Sequence, residues 1–371
     1  MLMNYYRTMD RGAVQFDFLV HRAAPAHYDE EILSMGGRIY RMPPIRPGRY
    51  RRYFRLLDRF FEEHAGQYRI VHAHLNENSA FVLRAARRAG VPCRIAHSHL
   101  SGLGLDGKLP FRLYARHVLK NQPTHRFACS AAAGQWLFGK RETERGGVTM
   151  IRNAVPVRDF ARNDDSRRAV RQELELEGKL AIGHVGRFDR QKNHRYLLRV
   201  FKAVRERNPD SVLVLAGDGP LRRRAERWAA AAGLSGHVRF VGVCRDVPRL
   251  LQGLDLFVLP SLFEGLPLVL IEAQAAGLPC VVSDRVTREA DATGEMTFAD
   301  PSGPPERWRD AILGTNAGRR ETGEAMRAHG WDAEERARWL QRWYAECWNE
   351  PELAERSLRY AADADGLYAN L

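Results

Sequence analysis

The chain has 371 residues, which is enough for two domains of ordinary size, each with its own core. Its 58 Lys and Arg against 45 Asp and Glu give a net charge of +13, which can attract nucleic acid, an anionic membrane surface or anionic substrates. The sequence contains no RNA-binding signature, no zinc-finger spacing and no run of five basic residues, so we exclude the common nucleic-acid-binding classes. It also has no apolar run long enough to span a bilayer, and we expect a cytoplasmic protein.

Short apolar segments alternate with amphipathic helices along the chain, which is typical of parallel sheets covered by helices on both faces. A helix is predicted over 194–204, where every third or fourth residue is apolar. The sequence therefore predicts the α/β class. The predicted strands cover residues 16–20, 38–42, 69–75, 93–99, 125–130, 148–153, 180–186, 211–217, 238–242, 255–261 and 279–284.

A polar stretch at 161–179 separates two such series of strands and is predicted to be the crossing between domains. We expect residues 1–160, together with C-terminal helices over 332–371, to form one Rossmann-like domain. Residues 161–331 would form the other. The stripe that predicts the C-terminal helix consists of Ala333, Ala337, Leu340 and Tyr344.

The segment 41–61 is basic and interleaved with aromatic residues. Such a segment can lie on an anionic membrane surface, which would make the protein peripheral at the inner face of the cytoplasmic membrane. An ordinary amphipathic helix with an exposed basic face is the equal alternative.

The loop after the strand at 180–186 carries two cations, Arg187 and Lys192, behind Gly186. Because the chain has six Lys and 52 Arg, a Lys in this loop indicates a need for a compact ammonium group. Arg, Lys and a helix N-terminus together can stabilise a diphosphate leaving group without a metal. Taken alone, the loop is more typical of a solvated basic loop, and the diphosphate interpretation depends on the Glu pair described below.

A helix is predicted to start directly after the strand at 255–261. Pro267 suits the first helical position and Gly265 suits a tight turn before it. The amides of Leu268 and Val269 would then stay free, and a helix start of this kind binds phosphate.

Two glutamates, Glu264 and Glu272, flank this helix start eight positions apart. Carboxylates repel phosphate, so both are expected to accept hydrogen bonds from hydroxyl groups. A ligand with phosphate in its middle and hydroxyl groups at both ends is a nucleotide sugar.

The five cysteines are scattered and odd in number, and none is close to another in sequence. We interpret them as small core residues in a reducing compartment, with neither a disulfide framework nor a metal site. They are Cys93, Cys129, Cys244, Cys280 and Cys347.

The segments 186–194, 212–222, 238–242 and 255–284, in this order and spacing, resemble the retaining GT-B glycosyltransferases of family 4. The resemblance covers roughly residues 150 to 300. Residues 70–99 resemble the acceptor-side domain of bacterial exopolysaccharide and capsular polysaccharide glycosyltransferases. The resemblance implies two Rossmann-like doubly wound parallel-sheet domains that face each other across a cleft.

The resemblance also assigns roles on the donor side. Glu272 would hold the ribose, Glu264 would position the transferred sugar, and Arg187 and Lys192 would hold the diphosphate. The loop at 217–219 would shape the base pocket, although a purely structural turn is equally open for it. The donor-binding residues implied are Gly186, Arg187, Lys192, Asp218, Gly219, Glu264, Gly265, Leu266, Leu268, Val269 and Glu272.

In these enzymes a histidine at the end of a strand in the N-terminal domain approaches the sugar and the β-phosphate. His97 and His99 both match, and since side chains alternate along a strand they can point the same way; we favour His99. With Glu264, they are the catalytic candidates. The end of another strand carries residues that could touch the acceptor or could simply form a surface loop, namely His72, His74, Asn76 and Glu77.

One departure from the family concerns the start of the chain. Residues 1–12 read as the helix that follows the first strand and its glycine-rich loop, so that strand is missing. Its absence would leave unpaired strand edges near the active site. We hypothesise that the biological start lies upstream of Met1.

The predicted function is transfer of a hexose from a nucleotide sugar, a UDP-sugar before a GDP-sugar, to a glycan or lipid-linked acceptor in exopolysaccharide synthesis. No cofactor or metal is expected, since the cations and the helix start would stabilise the leaving diphosphate. A glycosidase is disfavoured for the same reason, because no general acid is needed on that oxygen. The alternatives are a GT-B phosphorylase or epimerase, and an inactive nucleotide-sugar-binding subunit.

Overall fold

The computed structural model describes residues 2–100, 109–316 and 318–349. It divides into two compact units. The first unit comprises residues 2–152 and the chain from 334, and the second comprises residues 153–333. The sequence placed these divisions at 160/161 and 331/332.

The first unit carries two parallel sheets. Strands β1 and β2 pair with each other, and a separate sheet has the order β3-β4-β5-β6. All six strands were predicted. They are β1 (Phe18–Val20), β2 (Ile39–Arg41), β3 (Ile70–Ala73), β4 (Cys93–Ser98), β5 (His125–Ala128) and β6 (Thr149–Met150). The helices before residue 153 are α1 (Leu2–Thr8), α2 (Asp29–Ser34), α3 (Tyr50–Glu63), α4 (Ser79–Arg88), α5 (Leu109–Leu119), α6 (Ala131–Phe138) and α7 (Lys140–Glu144).

The two sheets of this unit border one cavity. Its volume is about 860 Å³, and residues of both β1 and β3 line it, among them Leu19 and Val71. In the described chain, β1 pairs only with β2 and β3 only with β4.

Helix α3 contains most of the basic aromatic segment. Its aromatic and aliphatic side chains at helical spacing are buried in the core of the first unit, including Tyr53, Leu57 and Phe61, each less than 5% exposed. The arginines of the helix lie on the opposite, exposed face. The structure therefore corresponds to the amphipathic-helix alternative, in which the aromatic rings pack inside the protein.

The second unit is a doubly wound parallel sheet in the order β12-β11-β10-β7-β8-β9. The chain moves outward in one direction from β7 and in the other from β10, so these neighbours form the switch point where such sheets bind ligands. The strands are β7 (Leu180–Val185), β8 (Ser211–Ala216), β9 (Val238–Gly242), β10 (Leu256–Leu259), β11 (Cys280–Ser283) and β12 (Thr297–Ala299). The helices are α8 (Asp164–Glu173), α9 (His194–Arg207), α10 (Arg222–Ala231), α11 (Val247–Gln252), α12 (Leu268–Ala275), α13 (Pro305–Gly314) and α14 (Gly323–Ala328).

The polar stretch at 161–179 lies inside the second unit, so its interpretation as the crossing between domains is wrong. It contains α8, whose Val170 is buried in the core. Arg167 and Arg171 of the same helix both form ion pairs with Asp255 at the start of β10. A polar surface with few buried positions made this helix look like a linker.

The last described helix, α15 (Ala333–Asn349), packs in the first unit. Its predicted apolar stripe is confirmed, since all four of its members are buried. The part of the predicted C-terminal helices beyond residue 349 lies outside the described residues. None of the described helices has both the length and the apolar character that crossing a bilayer requires.

Candidate functional site

The loop after β7 runs along the switch point of the second unit. Backbone N–H of Gly186 donates to Ala216 O at 2.9 Å, which holds the start of the loop against β8. Arg187 is exposed, and its guanidinium has no hydrogen-bonding partner in the described part of the chain. Its charge is therefore available to a ligand.

Two glycines let the loop after β8 pack on the loop after β7. Gly217 and Gly219 have φ angles of 132° and 156°, and a Cβ atom on Gly217 would lie 2.1 Å from Gly186 O. On Gly219, a Cβ atom would lie 2.6 Å from Phe188 O. Any side chain at these positions would push the two loops apart, so both glycines have a structural role whatever they bind.

The loop after β8 and the end of β9 border a second cavity. Its volume is about 570 Å³, and Asp218, Gly219, Arg222, Gly242 and Val243 contribute to its lining. The Oδ1 atom of Asp218 accepts a hydrogen bond from Gly219 N at 2.7 Å, which orients the carboxylate at the rim. Asp218 and Gly219, which the sequence assigns to the base pocket, thus line this cavity, and their role in binding a base stays a prediction.

Helix α12 begins at Leu268, one residue later than predicted. Pro267 has a φ of −75° but an extended ψ of 110°, so it precedes the helix and its carbonyl accepts from Leu270 N. In the described chain, the amides of Leu268 and Val269 have no protein acceptor. The predicted pair of free N–H donors is therefore present.

Gly265 does not need to be glycine, contrary to the prediction of a tight turn. Its φ lies outside the left-handed region, and a Cβ atom there would meet nothing within 4 Å. The next residue, Leu266, is partly buried against the core of the unit.

Glu264 is the residue that joins the two motifs. Its Oε1 atom lies 2.6 Å from Lys192 Nζ, and its Oε2 atom accepts a hydrogen bond of 3.0 Å from Gln191 Nε2. The side chains of Lys192 and Glu264 are only 15% and 8% exposed. An ammonium group carries three N–H donors, so the ion pair leaves Lys192 with donors for a ligand.

Sequence reasoning missed Gln191. Its side chain also donates to Phe263 O at 3.0 Å, so it holds the backbone and the carboxylate at the same place. The only signal was its position directly before Lys192.

Glu272 lies on α12 about one turn beyond the helix start, counting from Leu268 at 3.6 residues per turn. Burial raises the pKa of its carboxyl above the ordinary value of 4.5. No side chain in the described residues forms a hydrogen bond or ion pair with it, so its polar atoms are available to a ligand.

The four histidines of the first unit form one cluster at the carboxyl ends of β3 and β4. His72 Nε2 lies 3.0 Å from His97 Nδ1, and His74 Nδ1 lies 2.8 Å from His99 Nε2. The rings of His97 and His99 stack at 4.3 Å between centroids, so both point to the same side of the sheet, as expected. His97 is fully buried, whereas His99 is partly exposed.

Burial keeps the inner imidazoles of this cluster neutral. It lowers the pKa of His72 to about 3, with a smaller contribution from His99. Burial also lowers the pKa of His74 and His97 well below 6.5. Neutral rings can accept or donate hydrogen bonds and can bind metal ions.

Three of these histidines could hold a metal ion. One nitrogen atom from each of His72, His74 and His97 can be chosen so that all lie within 4.8 Å of one another. His72 is, however, also paired with Tyr344, whose hydroxyl lies 2.6 Å from His72 Nδ1. Four of the six ring nitrogens of these three histidines thus belong to a hydrogen-bonded network, whereas His74 Nε2 and His97 Nε2 are buried without a partner in the described chain.

Asn76 and Glu77, which follow β3, have different surroundings. Asn76 has a φ of 50°, and its Oδ1 atom accepts from His99 N at 2.8 Å, so it fixes the end of β4. Glu77 is 4% exposed and forms an ion pair with Arg112. Burial raises the pKa of Glu77. Its carboxyl group faces the protein interior and so does not face a sugar acceptor that would arrive from solvent. Asn76 and Glu77 are thus both bonded within the first unit, and contact of either residue with the acceptor stays a prediction.

The catalytic candidates lie in different units. Glu264 belongs to the second unit, with the donor loop, and His97 and His99 belong to the first.

Comparisons with known proteins find a matching family for each of the two units. The family model for group 1 glycosyl transferases matches residues 165–295, and the model for a glycosyl transferase 4-like domain matches residues 1–154. The glycosyltransferase EpsF of Bacillus subtilis is 39% identical over 90% of this chain and 89% of its own length. A UDP-Gal:alpha-D-GlcNAc-diphosphoundecaprenol alpha-1,3-galactosyltransferase of Escherichia coli is 31% identical over 52% of each chain.

Solved structures share the fold at low identity. Anabaena HepE in complex with UDP and glucose has a TM-score of 0.70 and 15% identity, covering 91% of this chain and 99% of its own. Sucrose-phosphate synthase from Thermosynechococcus elongatus has a TM-score of 0.62 and 20% identity, covering 97% and 92%. The parallel sheets, the two family matches and the EpsF relationship together show that the chain belongs to the group 1 glycosyltransferases, enzymes of the GT-B fold.

Proposed function

We propose that this enzyme transfers a hexose from a UDP-sugar to a glycan or lipid-linked acceptor in exopolysaccharide synthesis, with retention at the anomeric carbon. EpsF supports the exopolysaccharide role, and the Escherichia coli relative, whose name states a UDP-galactose donor and a diphosphoundecaprenol-linked acceptor, supports both partners. The HepE complex with UDP and glucose supports the donor class.

The observation that carries the proposal is the ion pair between Lys192 and Glu264. It brings the cationic loop after β7 to the start of α12, where the amides of Leu268 and Val269 have no protein acceptor. Arg187 adds an exposed charge from the same loop. Positive groups and free N–H donors together form a site for a diphosphate.

The neighbouring groups suit the two ends of a nucleotide sugar. Glu272, whose carboxyl group has no partner among the residues that the structure describes, would accept hydrogen bonds from ribose hydroxyls. The cavity beside Asp218 and Gly219 would take the base, and Glu264 would orient the transferred sugar through the oxygen atoms that Lys192 and Gln191 fix.

The partly exposed His99 would approach the sugar from the first unit, with His97 behind it as support and His74 holding its ring. Attack from the face of the departing diphosphate would give retention, with the phosphate taking the acceptor proton. No metal is needed in this scheme, because the cations and amide donors stabilise the leaving group. Peripheral contact with an anionic membrane would use the exposed arginines of α3.

The test is isothermal titration of the purified chain with UDP, GDP and ADP, with and without a chelator, followed by transfer assays with the matching sugar nucleotides. We expect UDP to bind most tightly, with no effect of the chelator, and a UDP-hexose to be transferred or slowly hydrolysed. Failure of all three diphosphates to bind would refute the donor site.

Two outcomes would favour the alternatives. Binding of UDP without transfer or hydrolysis of any UDP-hexose would indicate a binding subunit. Absorbance of a Schiff-base cofactor bound to Lys192 in the purified protein would indicate a phosphorylase.

A further inference from the structure

Two cysteines and a histidine from three elements meet in the interior of the first unit. Cys93 is the first residue of β4, His125 is the first residue of the neighbouring β5, and Cys347 lies near the end of α15. Cys93 and Cys347 are 0% exposed and His125 is 4% exposed. Their potential ligand atoms all lie within 4.8 Å of one another.

The distances resemble the edges of a metal coordination polyhedron. Sulfur atoms bound to one tetrahedral zinc ion are about 3.8 Å apart, and a sulfur and an imidazole nitrogen are about 3.6 Å apart. The observed distances are 3.3 Å between Cys93 Sγ and Cys347 Sγ, and 3.8 Å between Cys93 Sγ and His125 Nδ1. Along these two edges the atoms need to move by only about half an ångström to fit zinc, and the third edge, between Cys347 Sγ and a ring nitrogen of His125, is within 4.8 Å.

A disulfide fits less well. It requires the two sulfur atoms to approach to about 2.05 Å, a closure of more than 1 Å from the observed 3.3 Å. It would also leave the adjacent imidazole of His125 without a role. The proximity of two sulfur atoms and one nitrogen atom, all within 4.8 Å of one another, favours an ion over a covalent bond.

The protein alone leaves this cluster incompletely satisfied. His125 Nδ1, the nitrogen atom 3.8 Å from Cys93 Sγ, also lies 2.9 Å from the Thr124 hydroxyl, whereas His125 Nε2 is buried and has no hydrogen-bonding partner in the described chain. Trp343 lies edge-on to the His125 ring at 5.0 Å between centroids and screens it from solvent.

We propose that Cys93, His125 and Cys347 form a site for one thiophilic metal ion, zinc(II) by its bond lengths, which fastens α15 to the amino ends of β4 and β5. Binding replaces the thiol protons, which are released to solvent. Of the described residues, no fourth His, Cys, Asp or Glu joins the group, so one coordination position remains for a small ligand.

The site is separate from the histidine cluster. Cys93 and His97 stand at opposite ends of β4, four residues or about 13 Å apart along the strand. The ion would therefore act on the attachment of α15 and would take no part in sugar transfer.

The test is metal analysis of untagged protein produced with zinc in the medium, together with reconstitution of the metal-free protein with Co²⁺. We expect about one zinc per chain, and a thiolate-to-cobalt charge-transfer band on reconstitution. Cys93→Ser and Cys347→Ser should each lose most of the bound metal. Cys280→Ser, which changes a buried cysteine of the second unit, should retain it.

The Co²⁺ measurement on the wild-type chain tests whether the cysteines bind the metal ion, even if a Ser variant does not fold. A charge-transfer band requires sulfur ligands, so an ion held by the histidine cluster would not produce it. Wild-type protein with reduced thiols that binds neither zinc nor Co²⁺ would overturn the proposal. A protein mass that is lower than expected by two hydrogens, and that returns to the expected value on reduction, would overturn the metal proposal in favour of a disulfide.

Discussion

The ammonium group of Lys192 lies 2.6 Å from the carboxylate of Glu264, although the two residues are 72 positions apart in the chain. This ion pair fixes the loop after β7 against the start of α12 and is nearly buried. The donor site thus has part of its geometry in place before a ligand binds, which lowers the cost of ordering it on binding.

Replacing Lys192 should therefore affect both folding and function. In Lys192→Ala the Glu264 carboxylate loses its cationic partner, which we expect to cost about 2 kcal/mol of unfolding free energy. Donor affinity should fall as well, because the diphosphate loses a cation. Urea unfolding and titration with UDP check both effects, and Lys202→Ala, an exposed lysine on α9, is the matched control. Unchanged stability in Lys192→Ala would contradict the buried ion pair.

Replacing Glu272, unlike replacing Lys192, should lower donor affinity without lowering stability. Since no group in the described part of the chain pairs with its half-buried carboxyl, Glu272→Gln should leave the unfolding free energy unchanged or raise it. UDP affinity should fall by about 10- to 100-fold, the value of a charge-assisted hydrogen bond. Calorimetric titration and thermal unfolding measure the two quantities, with Glu177→Gln, an exposed site, as control. A large drop in melting temperature would mean that Glu272 has a structural role instead.

The glycines of the loop after β8 should resist any substitution. Gly217→Ala places a Cβ atom 2.1 Å from Gly186 O at a φ of 132°, so the backbone must shift. We expect a loss of about 1 to 3 kcal/mol in stability and of most UDP binding. Gly236→Ala, where a Cβ atom meets nothing within 4 Å, should be nearly neutral in both assays. Equal effects of the two substitutions would show that the close packing of the loops is not maintained in solution.

The buried histidines predict a loss of stability in acid. The pKa of His97 is lowered in the folded state, so unfolded chains bind a proton there that folded chains do not. Stability should be fully present above pH 6.5 and should fall as the pH drops below it, by up to about 1.4 kcal/mol per pH unit for this residue. In His97→Gln this slope should be smaller.

Urea unfolding at pH 7, 6 and 5 measures the slope, and His117→Gln, an exposed histidine on α5, supplies the comparison. The same pH dependence in wild type and His97→Gln would show that the ring is already charged in the folded protein.

Local sequence patterns were sufficient for most of the fold. All eleven predicted strands are present because buried parallel strands form nearly continuous apolar runs with turn residues at their ends. The strand that was missed, β12, has three partly buried residues and follows no such run. The boundary of α12 moved by one residue, because the φ of Pro267 suits both a helix and the extended residue before it.

The site was only partly readable from the sequence. Arg187, Lys192 and the helix start lie in short motifs, so their chemistry could be inferred from composition and spacing. Contacts between distant residues could not be inferred. The bond from Gln191 to Glu264 and the approach of Cys93 to Cys347, 254 positions later, exist only because the chain folds back on itself.

The position of α15 has a consequence for synthesis on the ribosome. Trp343 and Cys347 are buried in the first unit, and Tyr344 pairs with His72, so this unit needs residues from near the end of the described chain. The second unit, residues 153–333, has by then emerged in full. The part of the enzyme that is translated first is therefore the last to be completed, and until α15 arrives its apolar surface is exposed to chaperones and to other nascent chains.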